Sequence, residues 1–392
     1  MFAQGLKQFK SSFIRDILAV TQQPEVISFA GGLPDPALFP LEQLKLSADR
    51  IHRQLGGALY QYSETQGVPE LRNHIAESLC DAEIGASQIL ITTGAQQGLD
   101  LISRILLDSE ERVILEAPAY LGALQVFEAN RACILSIASN TSGPDLDALE
   151  RHASESSIRF FYTVADFHNP TGACYSLAHR QRLIEIAERY DFYILEDAPY
   201  RALGYSGEAL PSLQSLSPMC VIQLGSFSKI IAPGLRTGWI SAPENIIHTA
   251  INLKQATDLH SSTFDQRLIL EFLQQGFLPG HLQLLRSAYA GKMNLMADRL
   301  DIELADIIKF DRPEGGMFIW ATLDNSVDTR KLFDRAIEQG VAFVPGAAFY
   351  ENSPVDCSMR LNFTNSNETD ILQGIGRLAR LIEMIERGSR HG

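Results

Sequence analysis

The sequence predicts an α/β fold: a large domain with a mostly parallel, seven-stranded sheet between helices, followed by a smaller α/β domain. Three observations predict it. From about residue 88 to 242, short β-rich apolar runs alternate with helical patterns, the order that gives a parallel sheet with helices on both sides. Several of those runs are apolar almost throughout, as strands covered on both faces are. After residue 260 the pattern changes to two long helical stretches and then to mixed strands and helices.

The seven candidate strands are Ile89–Thr93, Val113–Leu115, Ala132–Ile137, Arg159–Val164, Phe192–Leu195, Val221–Leu224 and Gly238–Ser241. Helices fall between them at Gln96–Leu107 and Leu177–Tyr190. In the second, Leu183, Ile184, Ala187 and Tyr190 share one face, and Ser176 stands where an N-cap belongs. Further helices are expected at Ser262–Gln274, His281–Leu300, Thr329–Gln339 and Glu368–Glu386, with strands near Met317–Ala321, Val341–Val344 and Ser358–Phe363. The turn-rich string Ala30-Gly31-Gly32-Leu33-Pro34-Asp35-Pro36 precedes the large-domain pattern. Residues 1–45 are therefore expected to pack with the small domain, 286–392, and residues 46–285 to form the large one.

With 392 residues, 45% of them hydrophobic, the chain can bury a sizeable core in two structural domains. Its formal net charge is -14 and no Lys/Arg-rich block stands out, which argues against a nucleic-acid or anionic-membrane surface. Five cysteines at wide spacing, with no Cys-x-x-Cys pair, argue against a disulfide framework or a zinc site and for a reducing compartment. Met1–Arg15 lacks an apolar core of signal-peptide length, and no segment approaches the ~20 apolar residues of a membrane helix. The expectation is a soluble, cytoplasmic protein without a metal site.

Ligands of an open parallel sheet bind beyond the carboxyl ends of its strands, and polar residues gather there. Ser226-Phe227-Ser228-Lys229, with Arg236 seven residues after the lysine, reads as a lysine that holds an aldehyde cofactor as a Schiff base. Condensation needs a neutral amine, which burial or nearby cations can supply. The hydroxyls and the arginine suit a phosphate. Gly94-Ala95-Gln96-Gln97-Gly98 opens a helix directly after a strand and offers the N–H groups of Ala95 and Gln96 to an anion. Tyr120 can stack on a planar ring. Asn169, in Asn169-Pro170-Thr171-Gly172, can bond a phenolate oxygen, and the turn residues fix its loop. Asp197, ending Phe192–Leu195-Glu196-Asp197, can pair with a protonated pyridine nitrogen, and Tyr200 can donate to the ring oxygen.

Alone, each feature has an ordinary alternative: a solvated lysine, a glycine turn, a packed tyrosine, a helix-capping acid, a His168 that backs the site or faces solvent. Together they supply every group that pyridoxal phosphate needs, on successive strand ends.

On the strings Asn169-Pro170-Thr171-Gly172, Asp197-Ala198-Pro199-Tyr200, Ser226-Phe227-Ser228-Lys229 and Pro233-Gly234-Leu235-Arg236-Thr237-Gly238-Trp239, the chain resembles the class I/II aminotransferases, the fold-type I pyridoxal-phosphate enzymes. Ser28-Phe29-Ala30-Gly31-Gly32-Leu33-Pro34, Gln61-Tyr62-Ser63, Pro313-Glu314-Gly315-Gly316-Met317-Phe318 and Arg360-Leu361-Asn362-Phe363 make it most similar to the 2-aminoadipate and kynurenine aminotransferases. The resemblance implies ping-pong transamination from an L-amino acid to a 2-oxo acid, commonly 2-oxoglutarate, with Lys229 moving the proton. Lys229, Asp197 and Tyr120 would be the catalytic groups, the last two tuning the ring. Ser226, Ser228 and Arg236 would hold the phosphate, joined by Tyr62 from the partner of a homodimer with shared active sites. Arg360 would grip the substrate α-carboxylate, with Asn169 and Gly32 beside it. Arg15 would meet an acidic side chain, if it is not a surface arginine paired with Asp16 or solvent. Two positions depart from the family pattern: Ala95 stands where serine is common, and His168 where glutamine is.

Three rival readings share some of these features. Ser226-x-x-Lys229 also fits a serine–lysine acyl-enzyme, but Ser-Asp-Asn and Lys-Thr-Gly do not occur in the chain. A pyridoxal-phosphate lyase, decarboxylase or cyclase could use the same lysine and ring contacts; Arg360 argues against decarboxylation. A DNA-binding regulator built on this fold would need a basic winged-helix segment ahead of the aminotransferase pattern.

Overall fold

The computed structural model describes residues 25–205, 209–323, 327–351, 355 and 357–389. The elements that build the large sheet are β2 (Ile89–Thr92), β3 (Arg112–Ala117), β4 (Cys133–Asn140), β5 (Gly143–Pro144), β6 (Phe160–Thr163), β7 (Tyr193–Asp197), β8 (Val221–Ser226) and β9 (Gly238–Ser241), in the spatial order β2-β9-β8-β7-β6-β3-β4-β5. All seven expected strands are present. The eighth, β5, is a two-residue strand antiparallel to β4, too short and too Pro/Gly-rich to show a period. From β8 through β7, β6 and β3 to β4 the pairing is parallel, whereas β9 is antiparallel to both its neighbours.

That topology gathers the chemistry. The parallel strands end on one edge of the sheet. Strand β9 runs the other way, so its beginning, just after Arg236 and Thr237, lies at that same edge. Strands β2, β6, β8 and β9 are buried along their whole length, which explains why they read as unbroken apolar runs. Near the sheet margin, β4 is largely exposed or half-buried.

The helices begin where local chemistry satisfies their first N–H groups. The Ser176 hydroxyl accepts from His179 N, and Leu177–Tyr190 runs to a left-handed Asp191. Helix Thr263–Gln274 is capped by Ser262 in the same way, through Asp265 N. In Leu177–Tyr190 the buried face holds Leu183, Ile184, Ile186 and Ala187. It packs in a cluster with Ile114, Phe161 and Ile194 on one face of the sheet. The larger cluster covers the opposite face and continues into the C-terminal region.

The remaining strands are β1 (Ile27–Ser28), β10 (Ile308–Phe310), β11 (Phe318–Leu323), β12 (Val341–Ala342), β13 (Val344–Pro345) and β14 (Ser358–Asn362). They form a sheet β10-β11-β14-β13 and a pair β1-β12. The single strand expected at Val341–Val344 is broken at the fully buried Phe343. Its first half pairs parallel with β1 and its second pairs with β14. Residues 27–28 thus join the C-terminal region rather than the large sheet. Helix Phe277–Leu304, of 28 residues, spans roughly 42 Å at 1.5 Å per residue, packs on Glu368–Ser389, and contains positions 285 and 286.

Candidate active site

At the strand ends lies a cavity of about 280 Å³, lined among others by Gly32, Tyr120, Asn169, Asp197, Lys229 and Arg360.

One corner is built for an anion. Helix Ala95–Leu106 starts from Gly94, at φ +80, without a side-chain cap on its first N–H groups, so the Ala95 and Gln96 end of the helix is open to a ligand. A Cβ at Gly94 would lie 2.7 Å from Arg236 Nη2; glycine is what lets the guanidinium approach this turn. Arg236 is itself left-handed, at φ +46, and donates to Pro233 O and Thr93 O, both at 3.4 Å. Ser226 Oγ accepts from Ser228 N at 3.1 Å, and both serines line the cavity beside Ala95 and Gln96.

The floor holds a carboxylate in an unusual condition. Asp197 is 6% exposed. Its Oδ2 accepts from the Tyr162 hydroxyl at 3.0 Å, while its Oδ1 has no hydrogen-bond partner. Burial pushes its pKa up to about 6, although Tyr162 and Lys229 pull it down. A buried acceptor left unpaired costs about 1–3 kcal/mol, so an N–H donor placed here would be held firmly. Tyr120 donates to Gln96 Oε1 at 3.3 Å, and its ring passes over Gly122, where a Cβ would be 2.5 Å from Cζ. Desolvation raises the Tyr120 hydroxyl to about 12 and the Tyr200 hydroxyl further. Both stay protonated at neutral pH. Asn169 Nδ2 donates to the Tyr200 hydroxyl at 3.4 Å.

Lys229 Nζ donates to Gly32 O at 2.7 Å. Burial, then Arg360 and Arg236, lower its pKa from 10.5 to about 8, against the opposing pull of Asp197. Across the cavity, Arg360 on β14 is 4% exposed. Its Nη1 donates to Asn169 Oδ1 at 2.7 Å and its Nη2 to Ala30 O at 2.5 Å. The guanidinium lies 4.4 Å from the Phe318 ring centroid and 5.0 Å from that of Phe349, a cation–π setting that offsets part of its desolvation. Desolvation still lowers it to about 10, leaving it charged at neutral pH, and Arg360 Nε has no partner.

The structure brings Lys229, Asp197, Tyr120, Ala95, Gln96, Asn169, Tyr200, Ser226, Ser228, Arg236, Gly32 and Arg360 to this one cavity. Tyr62 is not among them. It is 78% exposed and meets His260 edge-on at 5.7 Å. Arg15 lies outside the described residues. His168 is 1% exposed, which rules out the solvent-facing alternative. It sits behind Asn169, with Nδ1 2.9 Å from Thr171 Oγ1 and Nε2 3.8 Å from the buried Glu116 carboxylate. Sequence reasoning missed Tyr162, which lies inside an apolar strand and reads as core, and the Phe318–Phe349 cradle, which comes from segments far apart in the chain.

The residues present fit pyridoxal phosphate. The open helix start with Arg236 suits its phosphate, the orphan Asp197 Oδ1 suits a protonated pyridine nitrogen, and the Asn169–Tyr200 pair suits the ring oxygen.

Comparisons agree with that fit. Residues 25–378 match the family model for aminotransferase class I and II. The chain is 39% identical to the 2-aminoadipate transaminase of Thermus thermophilus, covering 97% of this chain and 96% of that one. It is 38% identical to aromatic-amino-acid aminotransferase 1 of Thermococcus litoralis, covering 97% and 94%. The crystal structure of an alpha-aminoadipate aminotransferase from Thermus thermophilus, complexed with N-(5'-phosphopyridoxyl)-L-leucine, superposes with a TM-score of 0.93 at 37% identity over 98% of both chains.

Proposed function

The chain belongs to the class I and II aminotransferase family and is a pyridoxal-phosphate-dependent aminotransferase of fold type I; from that premise we propose how its own residues share the reaction. The observation that carries the assignment is the convergence of Lys229, the partnerless Asp197 Oδ1 and the partnerless Arg360 Nε on one cavity. Bound there, the cofactor supplies an aldehyde that condenses with amines and a pyridine ring that draws electrons from the substrate Cα. Lys229 Nζ would hold the aldehyde, and as a free amine it would take the proton from the substrate Cα and keep it on Nζ for redelivery. Asp197 Oδ1 accepts from the protonated ring nitrogen, and the Tyr162 bond to Oδ2 fixes the direction in which it points. Asn169 and Tyr200 hold the ring oxygen, and Tyr120 covers the ring face. Ala95, Gln96, Ser226, Ser228 and Arg236 bind the phosphate. Arg360 orients the α-carboxylate with a planar fork that lysine cannot copy, and Gly32 lines the substrate side.

The test is a half-reaction screen. Holoenzyme mixed with a single amino acid and no acceptor should release about one 2-oxo acid per site, the stoichiometry that a group-transfer (ping-pong) cycle dictates. Steady release of ammonia would instead indicate a lyase.

The lowered Lys229 pKa has a sign that can be checked. Neutral amine accumulates as pH rises, and half is neutral at about 8 rather than 10.5. Capture of pyridoxal phosphate by the apo-protein is therefore expected to reach half its maximal rate near pH 8. A midpoint close to the ordinary lysine value would show a solvated amine.

We propose an acidic donor such as 2-aminoadipate or glutamate, or an aromatic or aliphatic one, with 2-oxoglutarate as acceptor; the names of the relatives support the first two classes. Arg15→Ala distinguishes them. If Arg15 meets an acidic side chain, kcat/KM for 2-aminoadipate falls roughly tenfold to a hundredfold, the worth of a hydrogen-bonded charge, while that for phenylalanine is unchanged. Equal effects on both would remove Arg15 from the site.

We further propose a homodimer in which the exposed Tyr62 reaches the partner's phosphate corner; Leu259, beside its neighbour His260, is exposed as well, apolar area of the kind that interfaces cover. We read residues 46–285 as the large cofactor-binding domain and 286–392 as the small one, with the segment 1–45 joined to the latter at β1, although its last residues, in helix Leu41–Leu55, pack on Thr263–Gln274 of the large domain. A cytoplasmic location fits the free thiols of Cys80, Cys133, Cys174 and Cys220. Among the described residues no helix is long and apolar enough to cross a membrane.

A further inference from the structure

A lysine outside the cavity is placed against the back of the phosphate corner. Lys254, on helix Glu244–Asp258, is fully buried. Its Nζ donates to Asp258 Oδ1 at 2.7 Å, to Asp258 Oδ2 at 2.9 Å and to Gln97 Oε1 at 3.0 Å. Gln97 is the third residue of the helix whose open start faces the phosphate. Its Oε1 also accepts from Thr93 N at 2.7 Å, and its Nε2 donates to Asp258 Oδ2 at 2.7 Å. Thr93 Oγ1 reaches Asp258 Oδ2 at 3.3 Å and Ser261 Oγ at 3.1 Å. On its other side, Thr93 O accepts from Arg236. Thr93 is followed by Gly94 and Ala95, the two residues that form the turn.

Lysine is seldom fully buried; here only the lysine is buried, its partner Asp258 being 29% exposed at the side chain, and a pair that reaches solvent adds little stability by itself. The pair here does something apolar residues cannot. It fixes the Gln97 amide so that its oxygen faces Thr93 N and its nitrogen faces Asp258, and it thereby sets the backbone that presents the Ala95 and Gln96 N–H groups. With Asp258 as counter-ion, the Lys254 charge is offset locally, so Lys254 acts through position rather than as a phosphate ligand.

We propose that Lys254 is a positioning residue for the phosphate of the cofactor, acting through Gln97 and Thr93 on the turn at Gly94 and Ala95. The proposal rests on the phosphate corner assigned above, and the test separates the two. Apo-protein is titrated with pyridoxal phosphate and with pyridoxal, which lacks the phosphate, and both dissociation constants are measured without any turnover. Wild type should prefer the phosphorylated form strongly. In Lys254→Met the affinity for pyridoxal phosphate is expected to fall about tenfold, the worth of one well-placed hydrogen bond to an anion, with pyridoxal unchanged. The phosphorus NMR resonance of the bound phosphate should shift as well. If Lys254→Met does not fold, Gln97→Ala cuts the same connection while keeping the ion pair, and the same selective loss is expected. Equal losses for both ligands, or an unchanged preference, would overturn the role of Lys254. A wild-type protein that binds both forms equally would overturn the phosphate corner itself, and the Lys254 proposal with it.

Discussion

Lys229→Ala is expected to lower transamination about ten-thousandfold, the upper end of what a positioned acid–base group contributes, because in the proposed reaction one side chain would both hold the aldehyde and move the Cα proton. Its surroundings say why no neighbour substitutes. Among the described residues lining the cavity, the other cationic side chains are Arg236 and Arg360, and a guanidinium does not deprotonate near neutral pH. Lys254 points away, into its bonds with Gln97 and Asp258. The variant should still bind pyridoxal phosphate, more weakly for want of the bond to Lys229, through the phosphate corner and Asp197, and small primary amines added to the buffer should recover part of the rate. Single-turnover kinetics with L-glutamate measure the loss and the recovery. Activity within about tenfold of wild type, far short of the loss a missing acid–base group causes, would mean that another base carries the proton.

The second large effect is expected at Arg360. Arg360→Lys keeps a positive charge but loses the planar fork held by Asn169 Oδ1 and Ala30 O, along with the stacking on Phe318 and Phe349. Disrupting a buried, hydrogen-bonded charge contact costs about 2–5 kcal/mol, so kcat/KM for amino acids should fall roughly a hundredfold. The loss belongs to the carboxylate. An amine with the same side chain but no carboxylate should react at nearly the wild-type rate, however slow that is. A parallel drop for both substrates would assign Arg360 a structural role instead.

Much of this site was legible in the sequence because its groups follow apolar runs. Asp197 ends β7, Ser226 ends β8, and Gly94 follows β2, so finding the strands found the residues. Arg236 was legible from its place seven residues after Lys229; that it returns to the edge where the parallel strands finish follows from the antiparallel β9, which only the fold shows. What stayed hidden depends on distance in the chain or on packing. Tyr162 orients Asp197 from inside a strand whose composition says only that it is buried. Lys254 and Gln97 are 157 positions apart, and nothing local joins them. The break at Phe343 separates β12 from β13 because the two halves find different partners, a tertiary choice that strand propensity does not contain. Arg360 came from the family resemblance alone, since an arginine within a strand has no chemistry of its own until Asn169 and Ala30 are brought to it. The burial of His168 behind Asn169 likewise follows from the fold and not from the neighbouring turn residues.

The central claim is that the nitrogen of Lys229 carries the cofactor, and reduction with borohydride tests it most directly. Holoenzyme treated with the hydride, digested and mapped by mass spectrometry should yield one pyridoxyl-phosphate group per chain, on the peptide containing Ser228-Lys229-Ile230. A label on any other lysine, or tightly bound cofactor that the hydride never fixes to the chain, would contradict it.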